Sequence, residues 1–213
     1  MGSLYTNYKP LAVKEDQYID FNFRIYNKIV EVFYPNIKLG SNTYIRGRVE
    51  NNEKAFNLTF KSPEIKLFNY FAKNIELQID NDNPLFNTLV DIDSVSTKYY
   101  NLSKFNMVNV TLNDTMFVRS EFVGGKTNKD VYNLNLYHTF NKNNKSVIGL
   151  KHSDVTFRNN TWQINKNRDT LNKIEFDKGF KNIDISRILM NHENEQIELS
   201  GILKDSTYKD IHL

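Results

Sequence analysis

The stretch Asn74-Ile75-Glu76-Leu77-Gln78-Ile79-Asp80 carries an apolar side chain at every second position. Successive side chains of a β-strand point to opposite faces of the sheet, so this stretch predicts a strand with one apolar and one polar face. Phe56-Asn57-Leu58-Thr59-Phe60, a short distance upstream, has the same alternation. The cluster Asp80-Asn81-Asp82-Asn83-Pro84 follows directly and is typical of a turn, because Asn and Asp hydrogen-bond their own backbone.

The same alternation recurs along the chain, at residues 19–25, 108–112, 132–138, 174–176 and 197–199. Turn-forming clusters separate these stretches, at Asn51-Asn52, Asn113-Asp114, Gly124-Gly125, 141–144, 159–160 and 192–194. Short connections between strands favour antiparallel hairpins and meanders. Helical periodicity is scarce: residues 27–33 suit one or two turns before Pro35, and 67–71 and 183–190 suit single turns. The sequence therefore predicts an all-β, elongated antiparallel meander with one or two short helical turns.

Asparagine is the compositional outlier, with 31 residues in a chain of 213. Asn-rich segments can be low-complexity and prone to β aggregation. Here the Asn residues alternate with apolar ones, as in Tyr132-Asn133-Leu134-Asn135-Leu136, which favours ordinary strands with a polar outer face. Hydrophobic residues make up 39% and aromatic residues 13% of the chain, more than a disordered segment carries.

Several classes of function are disfavoured by the charge and the residue types. The net charge of +3 is spread along the chain without the Lys/Arg stripe of a nucleic-acid groove, so no nucleic-acid partner is expected. The chain has no cysteine, which excludes disulfides, thiol nucleophiles and zinc-thiolate sites. No apolar run approaches the roughly 20 residues of a membrane span. Met1-Gly2-Ser3 is typical of an expression-tag remnant, and we interpret residues 4–213 as a single section of a longer protein.

No cluster of residues predicts catalysis, a metal or a cofactor. The four histidines lack a second metal ligand at a suitable spacing. Gly124-Gly125-Lys126-Thr127 lacks the earlier glycine of a phosphate-binding loop, and Asp80-Asn81-Asp82-Asn83 lacks the Gly and closing Glu of a calcium loop. Both suit ordinary turns better. We therefore expect a protein that is not an enzyme and that needs no cofactor.

The apolar strand faces remain as the candidate functional surface. In a sandwich they would pack on a second sheet, in a barrel they would face a lumen, and in an open curved sheet they would line a groove able to hold acyl chains. Periodicity alone leaves these three arrangements open. The candidate groove-lining residues are Phe21, Phe23, Phe56, Leu58, Phe60, Ile75, Leu77, Ile79, Val108, Val110, Leu112, Leu134, Leu136, Ile197 and Leu199.

Several stretches carry a resemblance to a known family. They are Ile45-Arg46-Gly47-Arg48-Val49-Glu50, 56–65, 74–81, 108–122, 132–139 and Ile197-Glu198-Leu199-Ser200-Gly201. Together they resemble the TamB/AsmA-like proteins (translocation and assembly module subunits) of Bacteroidota, over most of the chain from about residue 18 onward. The matching stretches are structural and contain no catalytic motif.

The resemblance implies a fold, a location and partners. Members of this family are long periplasmic proteins that are anchored in the inner membrane and engage an outer-membrane barrel of the assembly-factor class. Their middle is a sheet folded into a U, called a β-taco, whose apolar groove shields phospholipid tails between the two membranes. This chain would be an internal periplasmic section of such a protein, with phospholipid as its ligand and the barrel contacted through other parts of the full-length protein.

Two other functions compete with a lipid conduit. The section could be a structural or chaperone-like scaffold for outer-membrane protein assembly that uses its sheet edges to bind strands. It could also be a secreted sandwich that binds carbohydrate, with Trp162 and tyrosines stacking on sugars. An exposed flat row of aromatic side chains would favour the carbohydrate-binding interpretation.

Overall fold

The computed structural model describes residues 17–50, 55–205 and 207–213. The described chain contains one short helix and a 16-stranded antiparallel sheet, as the sequence predicts. The elements are β1 (Tyr18–Arg24), α1 (Asn27–Phe33), β2 (Ile37–Leu39), β3 (Tyr44–Glu50), β4 (Ala55–Leu67), β5 (Tyr70–Asp80), β6 (Thr88–Ser96), β7 (Asn101–Leu112), β8 (Thr115–Gly124), β9 (Asp130–Phe140), β10 (Ser146–Leu150), β11 (Ser153–Phe157), β12 (Asn160–Ile164), β13 (Lys173–Phe176), β14 (Asn182–His192), β15 (Glu195–Lys204) and β16 (Tyr208–His212). The predicted all-β meander is confirmed, and its folding into a U stays a prediction.

The helical predictions are partly correct. Residues 27–33 form α1, which is fixed by two hydrogen bonds between the Asn27 side chain and the backbone of Leu39. The predicted turns at 67–71 and 183–190 are wrong. Residues 67–71 span a tight β-turn between β4 and β5, with Phe68 at φ 52°, and residues 183–190 lie inside β14, where pairing with β13 and β15 satisfies their backbone.

Asparagine supplies many of the tight turns. Of the 15 described non-glycine residues with positive φ, seven are Asn, including Asn113 and Asn159 in two hairpins. Asn tolerates the left-handed conformation better than most residues, so the predicted turn clusters fall at the connections between strands. Asn51-Asn52 and the tag remnant at 1–3 lie outside the described residues.

The described residues fall into two compact units. The N-terminal unit contains residues 17–50, 55–110 and 121–129, and the C-terminal unit contains 111–120, 130–205 and 207–213. In the N-terminal unit the strand order is β1-β3-β4-β5-β6-β7, and the register stays constant across these strands. Our interpretation of the chain as one section of a longer protein stays a prediction.

One row of the N-terminal unit breaks this regular pairing. The ladders skip Pro63, Asn74, Asp93 and Lys104, which lie side by side on β4 to β7. Asn74 and Lys104 adopt left-handed conformations, and the Asn74 amide donates to Asp93 Oδ2 at 2.5 Å. The regular alternation of side chains is interrupted along this line, because left-handed residues depart from extended backbone geometry.

The C-terminal unit contains an insertion within its ladders. On β9, residues 136–140 pair with β10 and residues 131–133 pair with β11, while β12 and β13 both pair with β14. Between the pairs Ser153–Ile164 and Gly149–Lys173, residues 165–172 lie opposite only residues 150–152. The extra residues form a loop, which we call the 165–172 loop.

Polar side chains hold this loop in place. The Asn165 amide donates to the carbonyl oxygens of Leu150 and Asp169 at 2.8 and 2.9 Å, and its Oδ1 accepts from the Asp169 N–H at 2.9 Å. The Asn172 amide donates to Asp169 Oδ1 at 2.9 Å, and Arg187 forms an ion pair with Asp169 Oδ2. Asn165 and Asn172 are almost completely buried, so these bonds satisfy groups that water does not reach.

The carboxylate of Asp169 is the charged centre of this network. Desolvation alone would raise its pKa, but the Leu171 N–H, the Asn172 amide and the Arg187 guanidinium together outweigh desolvation and lower the pKa below its usual value. A lowered folded-state pKa stabilises the fold above the unfolded pKa, and this contribution is lost as the pH falls through the folded pKa.

We expect Asp169→Asn to lower the free energy of unfolding by about 1–2 kcal/mol at pH 7, since it removes a charged hydrogen-bond acceptor. The difference from wild type should begin to shrink as the pH falls below about 4, the usual pKa of an unfolded Asp, and should vanish below the lowered folded-state pKa, where the wild-type carboxylate is protonated as well. Urea denaturation between pH 2.5 and 7 measures this difference. Asp205→Asn is the control, and equal losses in the two variants at pH 7 would contradict the assignment.

Two buried threonines differ in how well their hydroxyl groups are satisfied. Thr43 is 0% exposed, and its Oγ1 donates to the Gly40 carbonyl and contacts Ser62 Oγ, both at 2.7 Å. Thr88 is 1% exposed, and its Oγ1 has no partner among the described residues. Both side-chain polar atoms of the cross-strand neighbour Asn109 are likewise unpartnered. A buried hydroxyl without a hydrogen bond costs about 1–3 kcal/mol.

Replacing each threonine by valine tests this difference, because valine keeps the shape and removes the hydroxyl. Thr88→Val should raise the free energy of unfolding by about 1 kcal/mol, since it removes an unpaired buried group. Thr43→Val should lower it by about 1–3 kcal/mol, since it breaks two buried hydrogen bonds. Chemical denaturation of both variants provides the measurement, and a loss of stability in Thr88→Val would show that its hydroxyl has a partner such as a bound water.

Candidate functional site

One face of the N-terminal unit is formed by apolar rows that run across the strands. Residues that pair across β1, β3, β4, β5, β6 and β7 lie side by side, and residues two positions apart share a face. The rows on this face are Phe23, Ile45, Phe60, Leu77, Val90 and Met107; Phe21, Gly47, Leu58, Ile79, Thr88 and Asn109; Ile19, Val49 and Phe56; and Ser62, Ile75, Ile92 and Phe105. We call this surface the apolar face. Its six strands span about 24 Å at the usual strand spacing of about 4.8 Å.

Aromatic rings cover one end of the apolar face. The rings of Phe21 and Phe23 stack with centroids 5.8 Å apart. A Cβ atom on Gly47 would lie 2.8 Å from the Phe21 ring and 2.7 Å from the Asn57 carbonyl oxygen. Glycine at position 47 is therefore what lets the Phe21 ring lie close against β3.

The opposite face of the same strands is polar and is joined by cross-strand contacts. Lys61 and Glu76 pair at 2.7 Å, and the Asn106 amide donates to Asp91 at 2.6 Å. The hydrogen bond from Lys61 is the largest influence on the pKa of Glu76, which is lowered despite partial desolvation. A shallow depression of about 450 Å³ is bordered by Arg46, Arg48 and other polar residues of these strands, together with Phe21, Leu58 and Ile79. The sheet is thus amphipathic, with charged and polar side chains on one side and mostly apolar side chains on the other.

The apolar face is not packed like a protein core. No described apolar side chain of the N-terminal unit is fully buried; the three that are, Val147, Ile164 and Leu189, all belong to the C-terminal unit. Phe23 is 61% exposed, while Leu58, Phe60 and Leu77 are partly exposed. Among the arrangements that the sequence leaves open, this exposure favours an open face over a closed sandwich, in which such residues are buried between two sheets.

The structure brings together eight of the predicted groove-lining residues on the apolar face. They are Phe21, Phe23, Phe56, Leu58, Phe60, Ile75, Leu77 and Ile79. Ile45, Val90, Ile92, Phe105 and Met107 share that face and are absent from the predicted set. The alternation in Val90-Asp91-Ile92 and Phe105-Asn106-Met107 is the signal that would have identified most of them.

Val108, Val110 and Leu112 do not join these eight residues. Val108 pairs with Leu89, which pairs with Gln78, so it lies on the polar face. Val110 is two positions further along β7 and therefore lies on the same polar face. Leu112 belongs to the C-terminal unit and is 61% exposed. Strand β7 carries apolar residues in both phases of the alternation, and the register with β6 places Phe105 and Met107 on the apolar face.

The remaining predicted residues lie in the C-terminal unit. Leu134 and Leu136 are partly exposed on β9, where Leu136 pairs with Leu150. Ile197 and Leu199 lie on β15 opposite Met190 and Ile188, and Ile197 is 40% exposed. These four residues are thus split between β9 and β15, two strands that do not pair with each other.

Few titratable or metal-binding side chains lie near the predicted groove-lining residues. Burial lowers the pKa of His138, whose ring packs edge-on against Phe140 at 5.1 Å. The half-buried Trp162 lies against the His192 ring at 5.3 Å. Within the described part of the chain, no group of three or more His, Cys, Asp or Glu residues is arranged to hold a metal ion. No helix among the described residues is long and apolar enough to cross a membrane.

Comparison with known proteins identifies no relative: no family model, curated protein or solved structure matches the chain. The resemblance to TamB/AsmA-like proteins therefore stays a prediction. The geometry described above is the basis for any functional assignment.

Proposed function

We propose that this chain binds phospholipid acyl chains along its apolar sheet surface, as a non-enzymatic section of a periplasmic protein that carries lipid between the inner and outer membranes. The observation that carries this proposal is the apolar face of the N-terminal unit, whose side chains form continuous rows and yet stay partly exposed. Large exposed apolar surfaces on folded proteins mark sites of interaction with lipid, ligand or another protein.

The chemistry of the apolar face suits a sliding hydrocarbon chain. Each methylene transferred from water to an apolar surface contributes roughly 0.8 kcal/mol, so a chain that lies across several rows gains appreciable binding energy. The rows through Leu77 and Ile75 present no charged side chain on this face. A lining of this kind holds hydrocarbon without fixing one position, whereas the ion pair between Lys61 and Glu76 and the hydrogen bond between Asn106 and Asp91 lie on the other face.

The amphipathic sheet provides a matched pair of substitutions, because Leu58 and Thr59 are neighbours on β4 with opposite faces. We expect Leu58→Asp and Leu77→Asp to weaken the binding of phospholipid acyl chains to the apolar face at least tenfold, since covering a charge with hydrocarbon is costly. Thr59→Asp should leave lipid binding unchanged, because residue 59 lies beside Arg46 on the polar face.

The measurement is native mass spectrometry of chain purified without detergent, with organic extraction to identify the lipid. Binding of added fluorescent phospholipid provides an affinity, and circular dichroism confirms that each variant is folded. Folded Leu58→Asp and Leu77→Asp chains that bind lipid as wild type does would sink the proposal. So would a wild-type chain that neither carries nor takes up phospholipid.

A second candidate function, a scaffold for outer-membrane protein assembly, is favoured by the sheet edges. No described strand pairs with the outer edge of β1 or of β16. An unpaired edge offers backbone N–H and C=O groups to an added strand, which is how many proteins bind extended segments. The partner would be an unfolded strand of an outer-membrane barrel.

Site-specific photocrosslinking tests the scaffold function. A photoreactive residue at Asp210 on β16 should crosslink to a synthetic barrel-strand peptide, whereas one at Asp91 on the interior strand β6 should not. Equal crosslinking at the two positions, or none at either, would count against strand addition at this edge.

A further inference from the structure

The C-terminal unit contains a cavity of about 670 Å³ beside the 165–172 loop. Its walls come from β8, β9, the end of β10 with the two residues that follow it, and the loop itself. This volume lies within the range of sites for small ligands, about 300–1,000 Å³. The cavity is separate from the apolar face described above, because all of its lining residues belong to the C-terminal unit.

The floor of the cavity is largely hydrocarbon. Phe117, Tyr137 and Leu150 line it. A Cβ atom on Gly149 would lie 1.9 Å from Cε1 and 2.0 Å from Cζ of Tyr137, so the Tyr137 ring lies directly on the glycine backbone. Glycine at position 149 is therefore what allows the ring to lie against the sheet and form part of the floor.

Two cations border this floor. The Lys151 Nζ lies 4.7 Å from the centroid of the Phe117 ring, a cation–π contact. Arg168 lines the cavity from the loop. Among the described residues, no carboxylate pairs with Lys151 or Arg168. Among the described residues that line the cavity, Asp169 is the only carboxylate, and its charge is already matched by Arg187.

The wall that presents Arg168 is held in place by buried hydrogen bonds. Arg168 has a φ of 55°, a left-handed conformation that is unfavourable for a residue of its type. Its N–H donates to the Asn165 carbonyl at 3.0 Å, and Asn165 is itself fixed by three hydrogen bonds. Uncommon backbone conformations persist where the surrounding structure enforces them, and they concentrate at binding sites. The backbone that carries the Arg168 side chain is therefore held in position before any ligand binds.

We propose that this cavity binds an anionic amphiphile, with its oxyanion between Lys151 and Arg168 and its apolar part on Phe117 and Tyr137. Two cations without carboxylate partners favour an anion, and the apolar floor favours an anion that carries hydrocarbon. A phosphodiester headgroup with the first carbons of its chains meets both requirements. The apolar face of the N-terminal unit would hold chains by hydrocarbon contact alone, whereas this cavity selects charge, so the two sites can be tested separately.

The test uses dihexanoyl phosphatidylglycerol below its micelle concentration, with the backbone amide signals of Gly149 and Thr170 as a readout specific to the cavity. We expect saturable binding in wild type, weakened about tenfold in each of Lys151→Gln and Arg168→Asn, because each loses a charge-assisted contact. Asparagine at 168 tolerates the left-handed backbone. Lys166→Gln, on the same loop and outside the cavity lining, is the matched control and should bind as wild type does.

Several outcomes distinguish this proposal from binding that does not involve the two cations and from a site for a free anion. Affinity that falls as salt rises supports recognition of the anion by the two cations. Unchanged affinity in both Lys151→Gln and Arg168→Asn would overturn the proposal. Inorganic phosphate that binds as tightly as the lipid would show a site for a free anion and overturn the amphiphile assignment. A folded Gly149→Ala variant should bind the lipid more weakly but bind phosphate as wild type does, because the added methyl group displaces the Tyr137 ring. Leu77→Asp should leave this site unaffected, so failure of the proposed lipid conduit and failure of this site are distinguishable.

Discussion

The constant cross-strand register of the N-terminal unit is the constraint on which the candidate site depends. Because side chains alternate between faces, a shift of one residue on any strand would move its apolar side chains to the polar face. Lys61–Glu76 and Asp91–Asn106 tie neighbouring strands together on the polar side and agree with this register. The backbone groups are satisfied within the sheet, so this unit keeps a wide apolar surface without burying any described apolar side chain completely.

In the C-terminal unit, by contrast, an inserted loop interrupts the pairing between strands. The 165–172 loop departs from strand geometry, and the buried amides of Asn165 and Asn172 satisfy the backbone groups that the interruption leaves unpaired. The ion pair between Asp169 and Arg187 joins this loop to β14. A constant register thus produces a broad surface, and an inserted loop produces a cavity with charged groups at its border.

Short turns predicted the antiparallel connections and helical periodicity predicted α1, while the alternation of side chains was sufficient to predict seven of the sixteen strands. It was insufficient wherever the choice of face depends on neighbouring strands. Phe105-Asn106-Met107 and Val108-Asn109-Val110 are adjacent and out of phase, and only the pairing of β7 with β6 shows which set shares a face with Leu77. The cavity was also missed, because Lys151 and Arg168 are distant from Phe117 in sequence, and only the pairing of β10 with β9 and the 165–172 loop place all three in one lining. No local pattern encodes such a long-range arrangement.

The left-handed turns have a consequence for the unfolded chain. The sequence contains eight glycines and 31 asparagines, and seven of the Asn residues occupy left-handed positions that glycine would adopt more readily. Glycine loses the most conformational freedom on folding, whereas a residue with a side chain has fewer unfolded conformations to lose. Part of this protein's stability therefore arises from a restricted unfolded ensemble and corresponds to no contact in the folded state, which suits a sheet that buries so few apolar side chains.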